Sequence, residues 1–319
     1  MLNCVRFDWF SFTIKNKSIE NVFSDLGLDF NEFSLTHGRY GYNRMYVHNR
    51  YDISVLYEGT EQMGIHVSIS GSSINFFMDC FVRSQGCKCP FGGYVVEDKD
   101  VFHAFARYVF SCGKFSRVDV NFDTDNDFLN PFNIRDMIDN GFMISKYRSW
   151  KFIEKSDKAA TIYLGQRNSS SFVRIYDKAK EQGDYKGKLF RFEIQFNKGC
   201  NDFMSNFLES GLIAAFVSFI QKQLRFVEDH DYHKKSMNGW SLFLSSICSS
   251  EVLTYKKYES KTRKNSIDSL FHMFKQYKYV FFDFFDNYGN VDDFIEFLFF
   301  VGNCNDELDI IKYLNAKGW

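Results

Sequence analysis

Apolar and polar residues alternate along much of the N-terminal part of the chain, and this period of two predicts β-strands. The clearest example is Gly64–Ser70, in which Ile, Val and Ile alternate with His and Ser before a turn at Gly71. The predicted strands are residues 8–14, 53–57, 64–70, 116–123, 150–154, 160–165, 172–178 and 188–197.

Two helices interrupt these strands. Residues 98–110 have apolar side chains at helical spacing. A second helix is predicted to begin at Asn130-Pro131, a capping residue followed by a proline in the first turn, and to end at Gly141.

After about residue 200 the pattern changes to a helical one. The predicted helices there are residues 202–228, 264–279, 291–301 and 305–316. We therefore predict an α+β fold, with an antiparallel or mixed β-sheet domain over residues 1–200 and a mainly helical C-terminal region over residues 201–319.

The composition is that of a globular protein with a sizeable core, because 45% of the 319 residues are hydrophobic and 25% are charged. The net charge at pH 7 is −1. A protein that binds nucleic acid only through its overall charge is usually strongly basic. Any binding of nucleic acid by this chain therefore requires positive charge that is concentrated locally.

The sequence predicts a cytoplasmic protein that does not enter a membrane. The N-terminus lacks the basic, apolar and small-residue sequence of a signal peptide. The longest clean apolar run, Leu212–Ile220, is too short to span a bilayer. We therefore expect the eight cysteines to stay reduced.

Three predicted strands carry polar side chains at alternate positions, so that in each strand these side chains share one face. The residues concerned are Arg117, Asp119, Asn121 and Asp123 in the first strand, Arg174, Tyr176 and Lys178 in the second, and Arg191 and Glu193 in the third.

Each strand alone is typical of a solvated sheet face with ordinary cross-strand ion pairs. The three strands together favour phosphodiester chemistry. Carboxylates are the oxygen ligands that Mg²⁺ and Mn²⁺ prefer, cations offset the charge of a phosphate in the transition state, and a tyrosine hydroxyl can act as a nucleophile.

The same strands resemble those of a known family, the replication initiation factors, often called Rep_trans. The resemblance covers roughly residues 5–200. The segments that carry it are Arg117–Asp123 (RVDVNFD), Tyr163–Lys180 (YLGQRNSSSFVRIYDKAK) followed by Glu181, Arg191–Glu193 (RFE), Asp8–Thr13 and Gly64–Gly71. The spacing of the second and third segments is specific, whereas one short piece alone is weak evidence.

The resemblance implies an initiator of rolling-circle replication of a small plasmid or phage. In this interpretation residues 1–200 are a metal-dependent nicking domain, in which a tyrosine attacks an origin phosphodiester, frees a 3′-hydroxyl primer and keeps the 5′-phosphate. The implied residues are Tyr176 as the nucleophile, Asp119 and Glu193 as ligands of Mg²⁺ or Mn²⁺, and Arg174, Lys178 and Arg191 around the scissile phosphate. The implied partners are origin DNA, a host superfamily 1 helicase and a second copy of the chain.

Three residues keep alternative interpretations. Tyr163 is a second candidate nucleophile, although we favour Tyr176 because Arg174 and Lys178 flank it and would lower the cost of forming the phenolate. His66 is either a third metal ligand or a hydrogen-bonded residue of the sheet. Asp123 is either a metal ligand or a cap of the turn that follows it.

Contacts with DNA are predicted at two places outside these strands. Arg167 lies in the predicted turn between two strands, and a basic run that includes two tyrosines contributes Lys256, Lys257, Lys261, Arg263 and Lys264. Ordinary solvent-exposed segments explain both features equally well. The alternative function is an origin-binding regulator of the same fold that does not nick DNA.

Overall fold

The computed structural model describes residues 4–60, 62–85, 98–155, 159–228 and 235–252. The chain divides into two compact units, Met1–Tyr258 and Glu259–Trp319, and the described residues belong to the first of them. Its helices are α1 Ile19–Leu26, α2 Ser73–Ser84, α3 Asp98–Cys112, α4 Pro131–Asp139, α5 Lys178–Glu181, α6 Cys200–Ser210, α7 Leu212–Gln223 and α8 Asn238–Cys248. Its strands are β1 Cys4–Ile14, β2 Phe33–His37, β3 Arg44–His48, β4 Ile53–Tyr57, β5 Ile65–Ser70, β6 Gly113–Thr124, β7 Met143–Ser145, β8 Trp150–Glu154, β9 Ala160–Leu164, β10 Ser171–Asp177, β11 Phe190–Phe196, β12 Leu224–Phe226 and β13 Glu251–Val252.

Most of these strands form a single large sheet. Over the described residues its order is β2-β3-β4-β5-β1-β6-β11-β10-β9-β8, and β13 pairs with β1. The neighbours in this order are antiparallel, and β13 runs parallel to β1. The predicted α+β class, with a large antiparallel sheet and several helices, is confirmed.

One face of the central strands is apolar and packs against helices. Phe105 of α3 contacts Phe10 and Phe12 of β1, with ring centroids 5.3 and 5.2 Å away. Phe216 of α7 lies 6.2 Å from Phe192 of β11. Since burying one such side chain contributes about 1.5–3 kcal/mol, this aromatic layer fixes which face of the sheet is covered. The opposite face of the same strands carries the polar residues described below.

The predicted strands and the first two predicted helices correspond to observed elements. Residues 98–110 lie in α3, and the helix predicted from Pro131 is α4. The single helix predicted over 202–228 is wrong, because Gly211, with a φ of 82°, separates α6 from α7 and extended backbone at Leu224 begins β12. The pattern also missed the helices α1, α2, α5 and α8 and the strands β2, β3, β7 and β13.

The C-terminal predictions have mixed outcomes. Helices α6 to α8 belong to the same compact unit as the sheet, since that unit extends to Tyr258. A functional division at residue 200 stays a prediction. The helices predicted at 264–279, 291–301 and 305–316 lie outside the described residues. Among the helices that are described, none is both long enough and apolar enough to cross a membrane.

Two glycines flank β5 and both have left-handed backbone, with φ of 71° at Gly64 and 55° at Gly71. A Cβ atom added at Gly64 would collide with the carbonyl oxygen of Ile14 on β1, whereas nothing lies within 4 Å of one added at Gly71. We predict that Gly71→Ala lowers the free energy of unfolding by about 1–2 kcal/mol, the cost of left-handed backbone. Gly64→Ala should lower it by more, because the collision adds to that cost.

Urea unfolding of the two variants beside the wild-type protein measures this difference. Gly71→Asn serves as the control, because asparagine tolerates left-handed backbone and should restore most of the stability. Equal losses for Gly64→Ala and Gly71→Ala would mean that the close approach of β1 and β5 at Gly64 is unimportant.

Candidate active site

Antiparallel pairing brings the three predicted polar strands side by side. In β10 and β11, Tyr176 is opposite Arg191 and Arg174 is opposite Glu193. In β11 and β6, Arg191 is opposite Asp123. Directly opposed residues project to the same side of a sheet. The polar side chains of these strands therefore meet on the face that the aromatic core leaves uncovered.

The hydroxyl group of Tyr176 is held by an acid on the neighbouring strand. Tyr176 Oη donates a hydrogen bond of 3.1 Å to Glu193 Oε2, and Arg174 Nη2 donates to Glu193 Oε1. Burial raises the pKa of Tyr176 and the charge of Glu193 raises it further, against the opposing effects of Arg191 and Arg174. Arg174 thus lowers the pKa of Tyr176, as the sequence predicted, but burial raises this pKa by more. The hydroxyl group of Tyr176 therefore keeps its proton.

A second acid, Asp119 on β6, lies beside Glu193 and is 1% exposed. Arg117 binds it with both arms of the guanidinium group, from Nε to Oδ1 at 2.9 Å and from Nη2 to Oδ2 at 2.5 Å. Arg174 Nη2 lies 3.5 Å from Asp119 Oδ2, so that Arg174 bridges the two acids. Burial raises the pKa of Asp119 and of Glu193, and the arginines oppose this shift.

The predicted phosphate ligand Arg191 is engaged by a third acid. Arg191 Nε and Nη2 donate to Asp123 Oδ1 and Oδ2 at 2.6 and 2.8 Å, and both residues are buried. Arg6 of β1 also binds Asp123. The carboxylate of Asp123 is therefore held by two arginines, and Thr124 Oγ1 instead accepts the backbone N–H of Asn126 in the turn that follows.

The remaining predicted cations lie at different distances from Tyr176. Lys178 Nζ is 5.8 Å from the centre of the Tyr176 ring and also binds Glu181. Arg167 is exposed in the turn between β9 and β10. The basic run Lys256, Lys257, Lys261, Arg263 and Lys264 lies outside the described residues.

Tyr163, the second candidate nucleophile, lies on the same face as Tyr176. It is opposite Arg174 in the pairing of β9 with β10, and its ring stacks on Phe172 with centroids 5.5 Å apart. Both tyrosines line a cavity of about 260 Å³. The contact with Glu193 distinguishes Tyr176, and a role for Tyr163 stays open.

His66 does not complete a ligand group with the two acids. Its Nδ1 atom lies 3.2 Å from Thr13 Oγ1 of β1, and burial followed by the charge of Arg39 lowers its pKa. Within the described part of the chain, no group of three or more His, Cys, Asp or Glu side chains is arranged to hold a metal ion. This geometry supports the interpretation of His66 as a hydrogen-bonded sheet residue.

Two residues of β1 belong to this face although the polar pattern did not single them out. A bulge interrupts the pairing of β1 with β6 between Phe7 and Trp9. It presents Asp8 to Arg191, at 3.6 Å, and places the Trp9 ring against the guanidinium group of Arg117, at 4.0 Å. Strict alternation cannot put both Asp8 and Trp9 on one face, so only the bulge explains their position.

The pair of acids fits a hard divalent cation. Asp119 and Glu193 share the guanidinium group of Arg174, so a positive charge already lies where two carboxylates need one. Mg²⁺ is commonly bound by one or two carboxylates, with water and substrate phosphate completing its ligands. The residues that could hold Mg²⁺ or Mn²⁺ are therefore Asp119 and Glu193.

Comparison with known proteins identifies the family and the fold. The family model of the replication initiation factors (Rep_trans) matches residues 113–280, which begins with β6 and covers more than half of the chain. The chain therefore belongs to the replication initiation factor family. A solved structure of a rolling-circle replication initiator protein from Geobacillus stearothermophilus has the same fold, with a TM-score of 0.66 and 20% identity over 79% of this chain and 99% of that chain. No curated protein matched the sequence.

The raised pKa of Glu193 predicts a cost of burying its charge. A carboxyl group whose pKa is raised by folding stabilises the fold below its ordinary pKa of about 4.3, and this contribution is lost as the pH rises through the raised value. We predict that Glu193→Gln, in the presence of a chelator, is more stable than the wild-type protein at neutral pH, because the buried amide carries no charge. The difference should shrink toward pH 4.

Thermal unfolding at several pH values measures this effect, with Glu154→Gln on the exposed surface of β8 as the control. Addition of Mn²⁺ should stabilise the wild-type protein through binding to the folded state and should stabilise Glu193→Gln much less. A Glu193→Gln variant that is less stable at every pH without metal would show that pairing with Arg174 outweighs desolvation.

Proposed function

We propose that this protein initiates rolling-circle replication by nicking one strand of origin DNA with Tyr176. The observation that carries the proposal is the contact between Tyr176 Oη and Glu193 Oε2, at 3.1 Å, within a cluster of arginines on an uncovered sheet face. A nucleophilic hydroxyl needs an acceptor for its proton within hydrogen-bond reach. Membership of the replication initiation factor family supports the same conclusion.

The reaction is a transesterification. A bond forms between Tyr176 Oη and the scissile phosphorus atom, and the bond from phosphorus to the 3′-oxygen breaks. The phenol proton passes to Glu193 Oε2, and the leaving 3′-oxygen takes up a proton from solvent water to become the 3′-hydroxyl that primes synthesis. Resealing after one round uses the same steps in reverse, because the phosphotyrosine bond conserves the energy of the phosphodiester.

The arginines around the tyrosine suit a substrate with negative charge. Arg174 lies between Asp119 and Glu193, where its positive charge attracts a phosphate brought to Tyr176. A bound Mg²⁺ or Mn²⁺ supplies charge neutralisation at the phosphate. Lys178 lies beside the ring of Tyr176, where its positive charge favours the phenolate.

Arg191 has a supporting position in this proposal. Its guanidinium group donates two hydrogen bonds to Asp123, so it links β11 to β6 and contributes positive charge behind Tyr176. Direct contact with the phosphate requires it to exchange partners. A host superfamily 1 helicase and a second copy of the chain stay predicted partners, and Arg167 and the basic run at 256–264 stay predicted DNA contacts.

We predict that Tyr176→Phe reduces formation of a covalent adduct with origin DNA by at least about 10³-fold, as removal of other catalytic nucleophiles does. The substrates are labelled single-stranded oligonucleotides tiled across the DNA on both sides of the gene, with Mn²⁺ or Mg²⁺ added. A denaturing gel separates the adduct. Tyr163→Phe is the matched control and should keep most of the activity.

The other outcomes assign different functions. An adduct that survives in Tyr176→Phe and disappears in Tyr163→Phe would make Tyr163 the nucleophile. A folded wild-type protein that forms no adduct, leaves supercoiled origin DNA intact and still binds it specifically would be a regulator that does not nick. A chelator should abolish the adduct if the metal is required.

A further inference from the structure

A second cavity opens on the polar face of the sheet, on the other side of the acid cluster from the Tyr176 cavity. Its volume is about 580 Å³, within the range of about 300–1,000 Å³ that holds a small organic ligand. Its walls come from β1, β3, β4, β5 and the loops that flank them. The lining side chains used below are Trp9, Arg39, Asn49, Arg50, Tyr51 and Asp52.

This cavity is joined to the acid cluster by direct contacts. The Trp9 ring, which lines the cavity, packs against Arg117, with the guanidinium carbon 4.0 Å from the ring centre. Arg117 in turn binds Asp119, and Arg174 lies 3.5 Å from the same acid. A strand of DNA whose phosphate lies at Tyr176 reaches this cavity only if it crosses β11 and β6 along the same face of the sheet.

The walls of the cavity are held in place by hydrogen bonds. The buried His48 accepts the backbone N–H groups of Arg50 and Tyr51 on its Nδ1 atom, at 3.0 and 3.2 Å. Trp9 Nε1 donates to Ser11 Oγ at 2.7 Å. The loop that carries Arg50 and the ring of Trp9 are thus positioned before any ligand arrives, which lowers the entropic cost of binding.

The chemistry of the lining suits a single unpaired nucleotide. Arg39 and Arg50 provide two positive charges against the single carboxylate of Asp52, so the cavity attracts a phosphate. Trp9 and Tyr51 are half-buried aromatic residues of its walls, and each packs against a neighbour, Arg117 for Trp9 and Phe76 for Tyr51; unpaired bases stack on aromatic rings of this kind. A base paired in a duplex cannot enter a concave cavity, whereas a single-stranded base can.

We propose that this cavity binds an unpaired nucleotide of the origin strand that flanks the scissile phosphate. The proposal rests on the proposed nicking function and adds the part of the protein that holds the strand beside Tyr176. Arg39 and Arg50 bind the backbone of the nucleotide, and Trp9 and Tyr51 bind its base.

The test measures binding of a fluorescein-labelled oligothymidylate of about ten nucleotides to full-length protein that carries Tyr176→Phe, so that no covalent adduct forms. The double substitution Arg39→Gln/Arg50→Gln should weaken binding roughly tenfold and should reduce the slope of log affinity against log salt by about 1.4. This reduction follows because each cation that contacts a single strand contributes about 0.7 to the slope.

The matched control is Arg44→Gln/Arg83→Gln, which removes the same charge elsewhere. Arg44 pairs with Glu58 at 3.2 Å and precedes the cavity residue Met45, so alternation along β3 turns it to the opposite face. Arg83 lies on α2 and pairs with Asp79. The control should keep wild-type affinity, and an equal loss in both double variants would overturn the proposal, because net charge alone would explain it.

Photocrosslinking locates the nucleotide independently of any substitution. An oligonucleotide that contains 5-iodouracil should form a crosslink to Trp9 or Tyr51, identified by mass spectrometry of the crosslinked peptide. Unchanged affinity in Arg39→Gln/Arg50→Gln, or crosslinks confined to peptides away from the cavity, would overturn the proposal.

These results are distinguishable from failure of the nicking function. Wild-type protein that forms no adduct with origin DNA, while the cavity variants lose oligothymidylate binding, would refute nicking and retain the cavity as a nucleotide site. If wild-type protein forms the adduct, and Arg39→Gln/Arg50→Gln binds as well as its parent and nicks as well as wild type when it is made in protein that keeps Tyr176, nicking would be retained and the cavity refuted.

Discussion

Desolvation of acidic side chains is the constraint on which the polar face of this protein depends. Asp119, Asp123 and Glu193 lie in the central strands of the sheet with almost no exposed surface. An isolated buried carboxylate is very costly, so each needs cations and hydrogen bonds around it. Arginines from four strands provide them, namely Arg6 of β1, Arg117 of β6, Arg174 of β10 and Arg191 of β11. This requirement places cations beside Tyr176.

The aromatic face of the sheet makes this arrangement possible. Residues such as Phe122 and Phe192 are fully buried on the helix side of β6 and β11, so these strands cannot slide or turn over without exposing the core. The residues that alternate with them are therefore presented at fixed positions on the other side. Sites built on strands are more exact than sites built on loops, and Tyr176 and Glu193 both lie on central strands.

A net charge of −1 is compatible with a DNA substrate because the positive charge is local. The arginines of the acid cluster, together with Arg39 and Arg50 at the neighbouring cavity, lie along one face of the sheet. Asp119, Asp123 and Glu193 on the same face offset much of this charge, so the excess of positive charge is clearest at the cavity, where Arg39 and Arg50 accompany the single carboxylate of Asp52. Electrostatic attraction at short range depends on the local arrangement of charge, since salt screens charges beyond about 10 Å.

The sequence by itself determined the central strands, the α+β class and the residues that could do chemistry, because alternation is local and each polar position in β6, β10 and β11 can be read from it. Tertiary structure decided which of them meet. Because of the order and register of the strands, Tyr176 is hydrogen-bonded to Glu193 and Arg191 is hydrogen-bonded to Asp123. Each pair joins residues on different strands. The bulge at Asp8 and the helix α2 were not predicted, each for its own reason. A bulge depends on the neighbouring strand, and a short helix that is buried on most sides lacks the periodicity that separates it from other apolar segments.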